Sequence, residues 1–596
     1  MKITYRVKKA SMSRNQPLSG VRVGNQPTPH QIEKRKQEKL KRFDPTRVIL
    51  TSILLFMVEI LVLYLLNVYP VRGSIDSLVS PSSQFPTIVY NTLKLDISDN
   101  VPETIRKELT NKLSELEFNG TKRFEFTSEQ PDVVLSYSAS KSDSAEILAT
   151  QYLVPVGHLY WVRDTADKNA FEKDEILVPQ ENLELYSSVI QTFSPNSRIK
   201  GVEKFSDALK AQEKNFGITD FYDLRNDLKL LTLDGKYFFE DAPTGGIPYY
   251  FTLSGDSDAG KNLVKDRGAV MFPDDFQKDS ILSVRMTGVT AITRGLGIKT
   301  NASGDPAYAA RKIGSWLAKA DLTHVSNEVS MVPGCVPSGG VSFCMVTSHL
   351  EALKKSGVNI VELTGNHNND KGHTFNAASI KTYKDLGWDY FGGGTNATDA
   401  AKVLIKDVKG SKVAFVGYNY YDTVLRTFAI AGANRAGANS WSPEKIKADV
   451  EKARKEGADV VIVTFQYQEC WSYSTTGATV QQCYGPIASP NQKTHFRQAV
   501  DLGADIVIGT QAHQPQSYEV YKGKVIYYGL GNLYFDQHQW LGTRQGLVLT
   551  HYLYKGKYLG TGITTTLYNT DLITYITTGE QRASLLRSLR DWRPKN

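Results

Sequence analysis

The sequence has few cysteines. Only four of its 596 residues are cysteine, and they form two close pairs, Cys335 with Cys344 and Cys470 with Cys483. Pairs this close in an exported chain predict two local disulfides. Zinc binding is the alternative interpretation, but neither pair has the spacing of two to four residues that is typical of zinc-binding cysteines.

The chain also has little net charge outside its N-terminus. The formal net charge is +8, but residues 1–47 carry thirteen Lys and Arg residues against three acidic ones, which is +10, so the remainder is −2. Nucleic-acid-binding proteins carry their basic residues on a folded face, so we exclude nucleic acid as the main partner. With 41% apolar and 22% charged residues, the composition excludes a disordered or fibrous chain.

One long apolar segment follows the basic tail. Residues 48–69 are apolar apart from a few polar positions, and Glu59 is their one charged residue; about 20 apolar residues span the ~30 Å hydrocarbon core of a bilayer. We therefore predict a single transmembrane anchor, with a buried soluble helix as the alternative. The preceding basic residues predict a cytoplasmic N-terminus and place everything after residue 70 outside the cell membrane. No small-residue cleavage site follows, which favours a retained anchor over a signal peptide.

This topology predicts two kinds of partner for the N-terminal part. The basic tail is expected to contact anionic membrane lipid. A carboxyl group inside a membrane is costly, so Glu59 indicates a contact with other proteins of an envelope complex.

A linker at residues 70–86 precedes two α/β regions. Residues 87–275 alternate strands with helices, which predicts a smaller α/β domain. It is either of the two-lobed solute-binding kind or a structural spacer. The predicted elements are strands at 92–97 and 132–137 and helices at 102–116 and 204–213.

The alternation is clearer over residues 276–596, where Gly-, Asn- and His-rich loops follow short β-branched runs. Ligands of open α/β sheets bind at the carboxyl ends of the strands, so these loops are the expected site. Strands are predicted at 281–286, 358–363, 412–416, 459–464, 505–508 and 524–528, and helices at 306–320 and 443–456.

Four strand-end loops carry candidate site residues. Imidazole, amide and carboxylate groups together suit a divalent metal, and His367 or His513 has the ordinary pKa of a general acid or base. Local turn hydrogen bonds are the alternative role for the Asn and His residues. The candidates are Glu328, Asn366 with His367, Gln511 with His513, and Asn532.

About residues 280–575 resemble the capsule-biosynthesis CapA-like family, also described as poly-gamma-glutamate capsule proteins. Residues 365–372, Gly-Asn-His-x-x-Asp-x-Gly, are similar to the family's N-N-H-x-x-D-x-G loop, and residues 528–536 are similar to its Y-S-L-G-N-F-V-F-D segment. Residues 502–509 resemble the strand before the family's H-P-H. The resemblance implies a calcineurin-like metallophosphoesterase fold, a layered α/β/β/α domain that acts on a surface polymer.

The chain departs from the family at three ligand positions. Val289 stands where the family has a metal-bridging Asp, and Gln466 and Gln511 stand at histidine positions. Because amides bind transition metals more weakly than imidazole, at most one divalent ion of unknown identity is predicted. Its predicted ligands are Glu328, Asn366, His367 and His513; the predicted catalytic residues are His367, His513 and Glu328, and the predicted substrate-binding residues are Asn366, Asn532, Gln466 and Gln511.

Three hypotheses for function follow. The first is a metal-dependent hydrolase or transferase in the synthesis, attachment or turnover of capsule polymer, polyglutamate or polysaccharide. The second is a non-catalytic polymer-binding and assembly factor with a degenerate metal site. The third assigns the activity to residues 87–275 as a tethered solute receptor. No Ser-His-Asp elbow, P-loop or dinucleotide fingerprint is found in the sequence.

Overall fold

The architecture is described from a computed structural model that covers residues 92–593, apart from 116, 119–120, 123, 143–144, 256–274, 468–489 and 511. The predicted tail, anchor and linker, the Cys470–Cys483 pair and Gln511 lie outside the described residues. Among the residues described, no helix is long and apolar enough to cross a membrane.

The first region builds one nine-stranded sheet. The strands of the region are β1 (Leu93–Ile97), β2 (Glu117–Phe118), β3 (Thr121–Lys122), β4 (Phe124–Phe126), β5 (Val133–Ser138), β6 (Ala145–His158), β7 (Thr165–Ala166), β8 (Glu175–Pro179), β9 (Arg198–Val202), β10 (Phe216–Asp220), β11 (Leu228–Leu230), β12 (Thr232–Leu233) and β13 (Ile247–Ser254). The nine-stranded sheet has the order β4-β1-β5-β13-β6-β10-β8-β9, with β11 also paired to β6, whereas β2 pairs with β3 and β7 pairs with β12. The helices are α1 (Glu103–Ser114), α2 (Lys168–Lys173), α3 (Leu183–Phe193), α4 (Phe205–Ala211) and α5 (Phe238–Asp241), with 3₁₀ turns at Gln180–Asn182 and Phe221–Asp223.

The two halves of this sheet direct their carboxyl ends toward each other. Ser138 at the end of β5 lies opposite Tyr250 of β13, which lies opposite Thr150 of β6. On the other side of β6, Asp220 at the end of β10 lies opposite Leu153. The strands β5 and β10 run in opposite directions and end at nearly the same level of β6. The strand ends of both halves therefore face one central space.

The second region contains the remaining strands and helices. The strands are β14 (Ile281–Thr287), β15 (Val289–Thr290), β16 (Leu322–Asn327), β17 (Ile360–Glu362), β18 (Asp389–Phe391), β19 (Gly393–Gly394), β20 (Leu404–Val408), β21 (Ser411–Asn419), β22 (Gly437–Ala438), β23 (Val460–Gln466), β24 (Ile506–Gly509), β25 (Tyr518–Tyr521), β26 (Lys524–Tyr527), β27 (Asn532–Tyr534), β28 (Gln545–Tyr554), β29 (Lys557–Tyr568) and β30 (Thr574–Ile576). The helices are α6 (Arg294–Ser303), α7 (Gly314–Leu317), α8 (Leu350–Lys355), α9 (His373–Asp385), α10 (Ala397–Ala400), α11 (Tyr420–Leu425), α12 (Pro443–Lys455), α13 (Pro490–Asp501), α14 (Leu541–Arg544) and α15 (Gly579–Asp591), with 3₁₀ turns at Lys278–Ser280, Tyr308–Ala310 and Thr347–His349.

Two sheets face each other in this region. One has the order β18-β17-β16-β14-β28-β29-β30, with β15 and β27 attached to it, and the other has the order β20-β21-β23-β24-β26-β25. Along β21, Val413 and Phe415 pack into the core between the sheets, whereas Ala414 and Val416 pack against helices α12 and α13. Helices α8 and α9 cover the outer face of the first sheet. The layers therefore follow the predicted α/β/β/α order, and the predicted mixed α/β class is confirmed.

The predicted helix at 306–320 is wrong as a single element. The structure has a 3₁₀ turn at Tyr308–Ala310 and the short α7 instead. Gly314 is the first residue of α7, and in the single predicted helix it would be an interior glycine, which costs about 1 kcal/mol. Ala310 and Ile313 are fully buried, so tertiary packing fixes the two short turns.

Candidate functional site

Polar residues from both sheets meet at the carboxyl ends of their parallel strands. Glu328 follows β16, the loop with Asn366 and His367 follows β17, and Gln466 ends β23. The two sheets are connected here. Asn419 of β21 lies opposite Gln466 of β23 and donates its side-chain N–H to the carbonyl oxygen of Thr364, which follows β17, at 2.9 Å. The topology thus places the predicted residues at one edge of the two-sheet core.

The loop after β17 holds His367 by a carboxylate. His367 Nδ1 lies 2.8 Å from Asp370 Oδ2, and the same oxygen accepts the backbone N–H of Phe343 at 2.7 Å. Burial lowers the pKa of His367, but the hydrogen bond to Asp370 and the negative charges of Glu328 and Asp370 outweigh burial and raise that pKa above its ordinary value. Asp370 fixes the ring and leaves Nε2 as the nitrogen available to a substrate.

Glu328 is brought next to this loop by a glycine. A Cβ atom at Gly365 would lie 2.3 Å from Glu328 Cβ, so the two strand-end loops approach this closely only with glycine at 365. Glu328 is 2% exposed, and its charge contributes to the raised pKa of His367. A buried carboxylate and an imidazole are therefore adjacent, as the sequence predicts.

His513 belongs to the same site. Its Nδ1 lies 2.7 Å from Asn532 Oδ1, and because an amide oxygen can only accept, Nδ1 carries the proton. Its ring stacks on Phe535, whose ring is 5.9 Å from that of Phe343, and Phe343 lies 4.2 Å from the ring of His367. A positive charge on His513 would oppose protonation of His367, so the two rings are electrostatically linked. The structure thus brings both predicted histidines together.

A buried carboxylate joins the two sheets beneath the site. Glu362 accepts hydrogen bonds from Thr364 Oγ1 at 2.5 Å, Thr510 Oγ1 at 2.8 Å and His324 Nε2 at 3.0 Å. Thr510 comes from the second sheet, and the Glu362 and His324 side chains are 0% and 1% exposed. This network fixes the end of β17, from which the site loop emerges.

The polar atoms of the site do not fit a two-metal centre. Val289 has no ligating atom at the position of the family's bridging carboxylate, and Gln466 offers a neutral amide oxygen. In the part of the chain that the structure describes, no group of three or more His, Cys, Asp or Glu residues could hold a metal ion. The buried oxygens Asn366 Oδ1 and Gln466 Oε1 have no hydrogen-bond partner among the described residues. The predicted single divalent ion therefore stays a prediction.

Several residues of the site were not identified from the sequence. Asp370 was recognisable only as the fourth position of the motif that begins with His367. Phe343 stands next to Cys344, whose predicted disulfide with Cys335 is confirmed. Arg294 lies 5.7 Å from the ring of Phe343, and no sequence pattern points to it.

The other asparagines of the loop have structural roles. Asn368 is 2% exposed and donates to the Gly365 carbonyl oxygen at 3.3 Å. Asn369 donates to the carbonyl oxygens of Phe428 at 2.7 Å and Ala436 at 3.0 Å. The contact of Asn368 is a local turn hydrogen bond, as the alternative role predicts, whereas Asn369 bonds to a segment distant in sequence; both hold the loop in place.

Comparison with known proteins agrees with this geometry. Residues 283–537 match the family described as bacterial capsule synthesis protein PGA_cap. Over these residues the chain resembles that family, and residues 276–596 are hereafter called the CapA-like domain. The "Capsule biosynthesis protein CapA" of Bacillus anthracis is 31% identical over 207 residues, which is 34% of this chain and 46% of that protein. The "PGA biosynthesis protein CapA" of Bacillus subtilis (strain 168) is 30% identical over 214 residues, 36% of this chain and 51% of that protein.

The family match lies within the CapA-like domain, and the chain spans about half the length of these two relatives. Among solved structures, an ABC-type phosphate transport receptor from Vibrio cholerae aligns with 30% of this chain and 100% of its own, at 9% identity and a TM-score of 0.22. A TM-score of this size does not establish a shared fold.

Proposed function

We propose that this chain is a membrane-anchored, extracytoplasmic CapA-like protein that acts in the synthesis, attachment or turnover of a capsule polymer, polyglutamate or polysaccharide. The reaction is hydrolysis of, or transfer at, a polymer linkage. The observation that carries the proposal is the His367–Asp370 pair beside Glu328, in the loop that matches the family motif.

In this proposal His367 is the general acid and His513 is the general base. The raised pKa of His367 favours the protonated ring, and in this proposal Nε2–H donates that proton to the leaving group. His513 is held with its proton on Nδ1, so Nε2 is the nitrogen that accepts a proton from the attacking hydroxyl or water. Glu328 stabilises the protonated His367, and the amide oxygens of Asn366 and Gln466 bind substrate N–H or O–H groups.

Substitution of His367 tests the proposal. His367→Ala should lower polymer processing by about 10²–10⁴-fold, the usual contribution of a general acid. The measurement is the amount and chain length of surface polymer in cells that express each full-length variant, with folding checked by circular dichroism. His373→Ala is the matched control, because His373 is an exposed histidine six positions along the same segment. Processing that is equal in both variants would contradict an acid role.

A second candidate function is favoured by Val289 and Gln466, which replace family ligands. In that case the CapA-like domain binds and guides polymer without cleaving it. His367→Ala would then leave polymer length unchanged and weaken only the affinity of the purified protein for polymer.

Metal content decides the role of the predicted ion. The full chain is dialysed against trace divalent metals and its bound metal is measured by elemental analysis, beside His367→Ala and His513→Ala. One tightly held ion that both variants lose would support a metal-assisted reaction, whereas metal at background level would favour the polymer-binding function.

A further inference from the structure

A large concave feature of the described chain is lined mainly by residues of the first region rather than of the CapA-like domain. It is a cleft of about 1190 Å³ in the first region, between the two halves of the nine-stranded sheet. Sites for small molecules usually have volumes of about 300–1,000 Å³. The cleft is therefore large enough for a small solute together with bound water.

The cleft is built where the strand ends converge. Tyr137 comes from the end of β5, Gln151 from β6, Asp220 from the end of β10 and Tyr249 from β13, so each half of the sheet and the strands between them contribute. Carboxyl strand ends that meet at a change of strand direction are the usual ligand position in α/β sheets. Lys557 of β29 also lines the cleft, which makes it a feature of the full chain.

Asp220 is the buried charge of the cleft. It is 5% exposed, and its carboxylate accepts Tyr249 Oη–H at 2.6 Å and the backbone N–H of Tyr222 at 2.7 Å. Its own backbone N–H donates to Tyr186 Oη at 3.3 Å. The Tyr137 and Tyr249 rings are 5.2 Å apart. A carboxylate among tyrosine rings is the arrangement that recognises organic cations, because the ring faces and the carboxylate both attract positive charge.

Acidic residues outnumber basic residues in the lining of the cleft. Burial, together with the negative charge of nearby Asp223, raises the pKa of Asp220 to about 7. A cation bound in the cleft would offset the free-energy cost of ionising the buried Asp220 and return its carboxyl group to the ionised form. Lys557 Nζ donates to the Tyr222 carbonyl oxygen. The acidic lining residues are Glu103, Glu181, Glu203, Asp207, Asp220, Asp223 and Asp227, and the basic ones are Lys204, Arg225, Lys555 and Lys557.

We propose that this cleft binds a small organic cation with a primary or quaternary ammonium group, held by Asp220 and the surrounding tyrosines. This binding function is separate from the proposed polymer chemistry of the CapA-like domain, so either can fail without the other. It makes the first region the receptor of a soluble amine.

Ligand binding to the full-length protein tests this proposal. Purified protein is titrated calorimetrically with L-arginine, L-lysine, putrescine and choline, and with L-glutamate and inorganic phosphate as anionic probes. At least one ammonium probe should bind with a Kd below about 1 mM, and Asp220→Asn should weaken it by at least tenfold, which corresponds to about 1.4 kcal/mol. Tyr249→Phe, which removes only the hydroxyl group that donates to Asp220, should weaken binding of the same probe less.

The matched control is Glu184→Gln, which removes the same charge from a position of α3 that does not line the cleft. It should bind the probe as the unsubstituted protein does. If Asp220→Asn does not fold, Tyr249→Phe and Asp223→Asn serve in its place, and each should weaken the probe more than Glu184→Gln does. Binding of none of the four ammonium probes, tighter binding of glutamate or phosphate, or equal affinity in the cleft variants and the control would overturn the proposal.

Discussion

The buried Glu362 should be one of the most sensitive positions of the CapA-like domain. Its carboxylate accepts three hydrogen bonds, from Thr364, Thr510 and His324. The Glu362→Gln substitution keeps the size of the side chain but replaces one accepting oxygen by an N–H₂ group that can only donate. At least one of the three donors must then lose its acceptor.

The tautomer of His324 shows why rotation of the new amide does not repair the loss. His324 Nδ1 lies 3.4 Å from the backbone N of Thr287 and accepts its N–H, so Nε2 carries the proton directed at Glu362. Turning the N–H₂ group of the substituted side chain toward His324 therefore places two donors together. Turning it toward the threonines makes their hydroxyl groups accept instead of donate, so both lose their hydrogen bond to a charged group, and Thr510 keeps only the longer bond to the Phe465 carbonyl oxygen at 3.3 Å. A hydrogen bond to a charged group contributes about 1.5–3 kcal/mol, so we expect Glu362→Gln to lower the free energy of unfolding by about 1.5–3 kcal/mol.

Urea unfolding followed by tryptophan fluorescence measures this change. The matched control is Glu351→Gln, because Glu351 pairs with Lys354 on the surface with a side chain that is 48% exposed, and surface substitutions change stability by about 0.5 kcal/mol or less. The double variant His324→Gln/Glu362→Gln should cost less than the sum of the single changes, since the two residues share one interaction. A loss for Glu362→Gln that equals the control, or full additivity, would refute the reasoning.

Three further changes test other parts of the structure. Gly365→Ala should lower stability by about 1–3 kcal/mol and reduce polymer processing, because its Cβ would lie 2.3 Å from Glu328 Cβ; thermal unfolding measures the stability change. Loss of the Cys335–Cys344 disulfide, which joins residues nine positions apart, should cost about 2–3 kcal/mol by loop closure, measured by urea unfolding. Burial lowers the pKa of His551 to about 3, so the unfolded state binds its proton first and stability should fall as pH drops below 6.5; His551→Asn should reduce that fall, measured by urea unfolding at about pH 6.5 and 4.5.

Each of these changes has a control in the same chain. Gly339→Ala should be nearly neutral, because a Cβ there meets open space. A reducing agent should destabilise the Cys335→Ser/Cys344→Ser variant less than the unsubstituted protein, because only the predicted Cys470–Cys483 disulfide remains in that variant. His373→Ala, at an exposed position, should keep the pH dependence of the unsubstituted protein. A control that behaves like its test variant would contradict the corresponding explanation.

The sequence predicts the sheets of the CapA-like domain well because their parallel strands are buried on both faces. All seven residues of β23 are buried, and such a strand appears in the sequence as a continuous β-branched and apolar run. The motif loops follow from the same property, since the residues after a buried parallel strand are exposed to a site at the sheet edge. Glu328, His367 and His513 could therefore be assigned to one place.

The remaining features depend on contacts between distant residues. Arg294 pairs with Asp536 across the domain at 3.2 Å, and Phe343 reaches His367 through a loop that the Cys335–Cys344 disulfide closes. The cleft around Asp220 arises from the register of strands that cross the first sheet, for which no local pattern exists. Such contacts are set by tertiary packing, which local sequence patterns do not contain.

Val289 offers a last test of how closely the CapA-like domain keeps a metal-binding geometry. Its backbone N–H donates to the Gly531 carbonyl oxygen at 2.9 Å, and it lies opposite Asn532 of β27, whose side chain holds His513. The Val289 side chain is 1% exposed. Its backbone is therefore fixed at the edge of the site.

The Val289→Asp substitution should make stability depend on metal. Without a cation, a buried unpaired carboxylate costs several kcal/mol, so the melting temperature should fall well below that of the unsubstituted protein. With MnCl₂ present, a cation held by the new carboxylate and by Glu328 would offset that cost, and the melting temperature should recover by the binding energy of the ion. Val289→Asn, which has the same shape without the charge, is the control and should show little recovery. Equal melting temperatures for Val289→Asp with and without MnCl₂ would mean that the loss of the family's ligands has been followed by a change in the geometry around them.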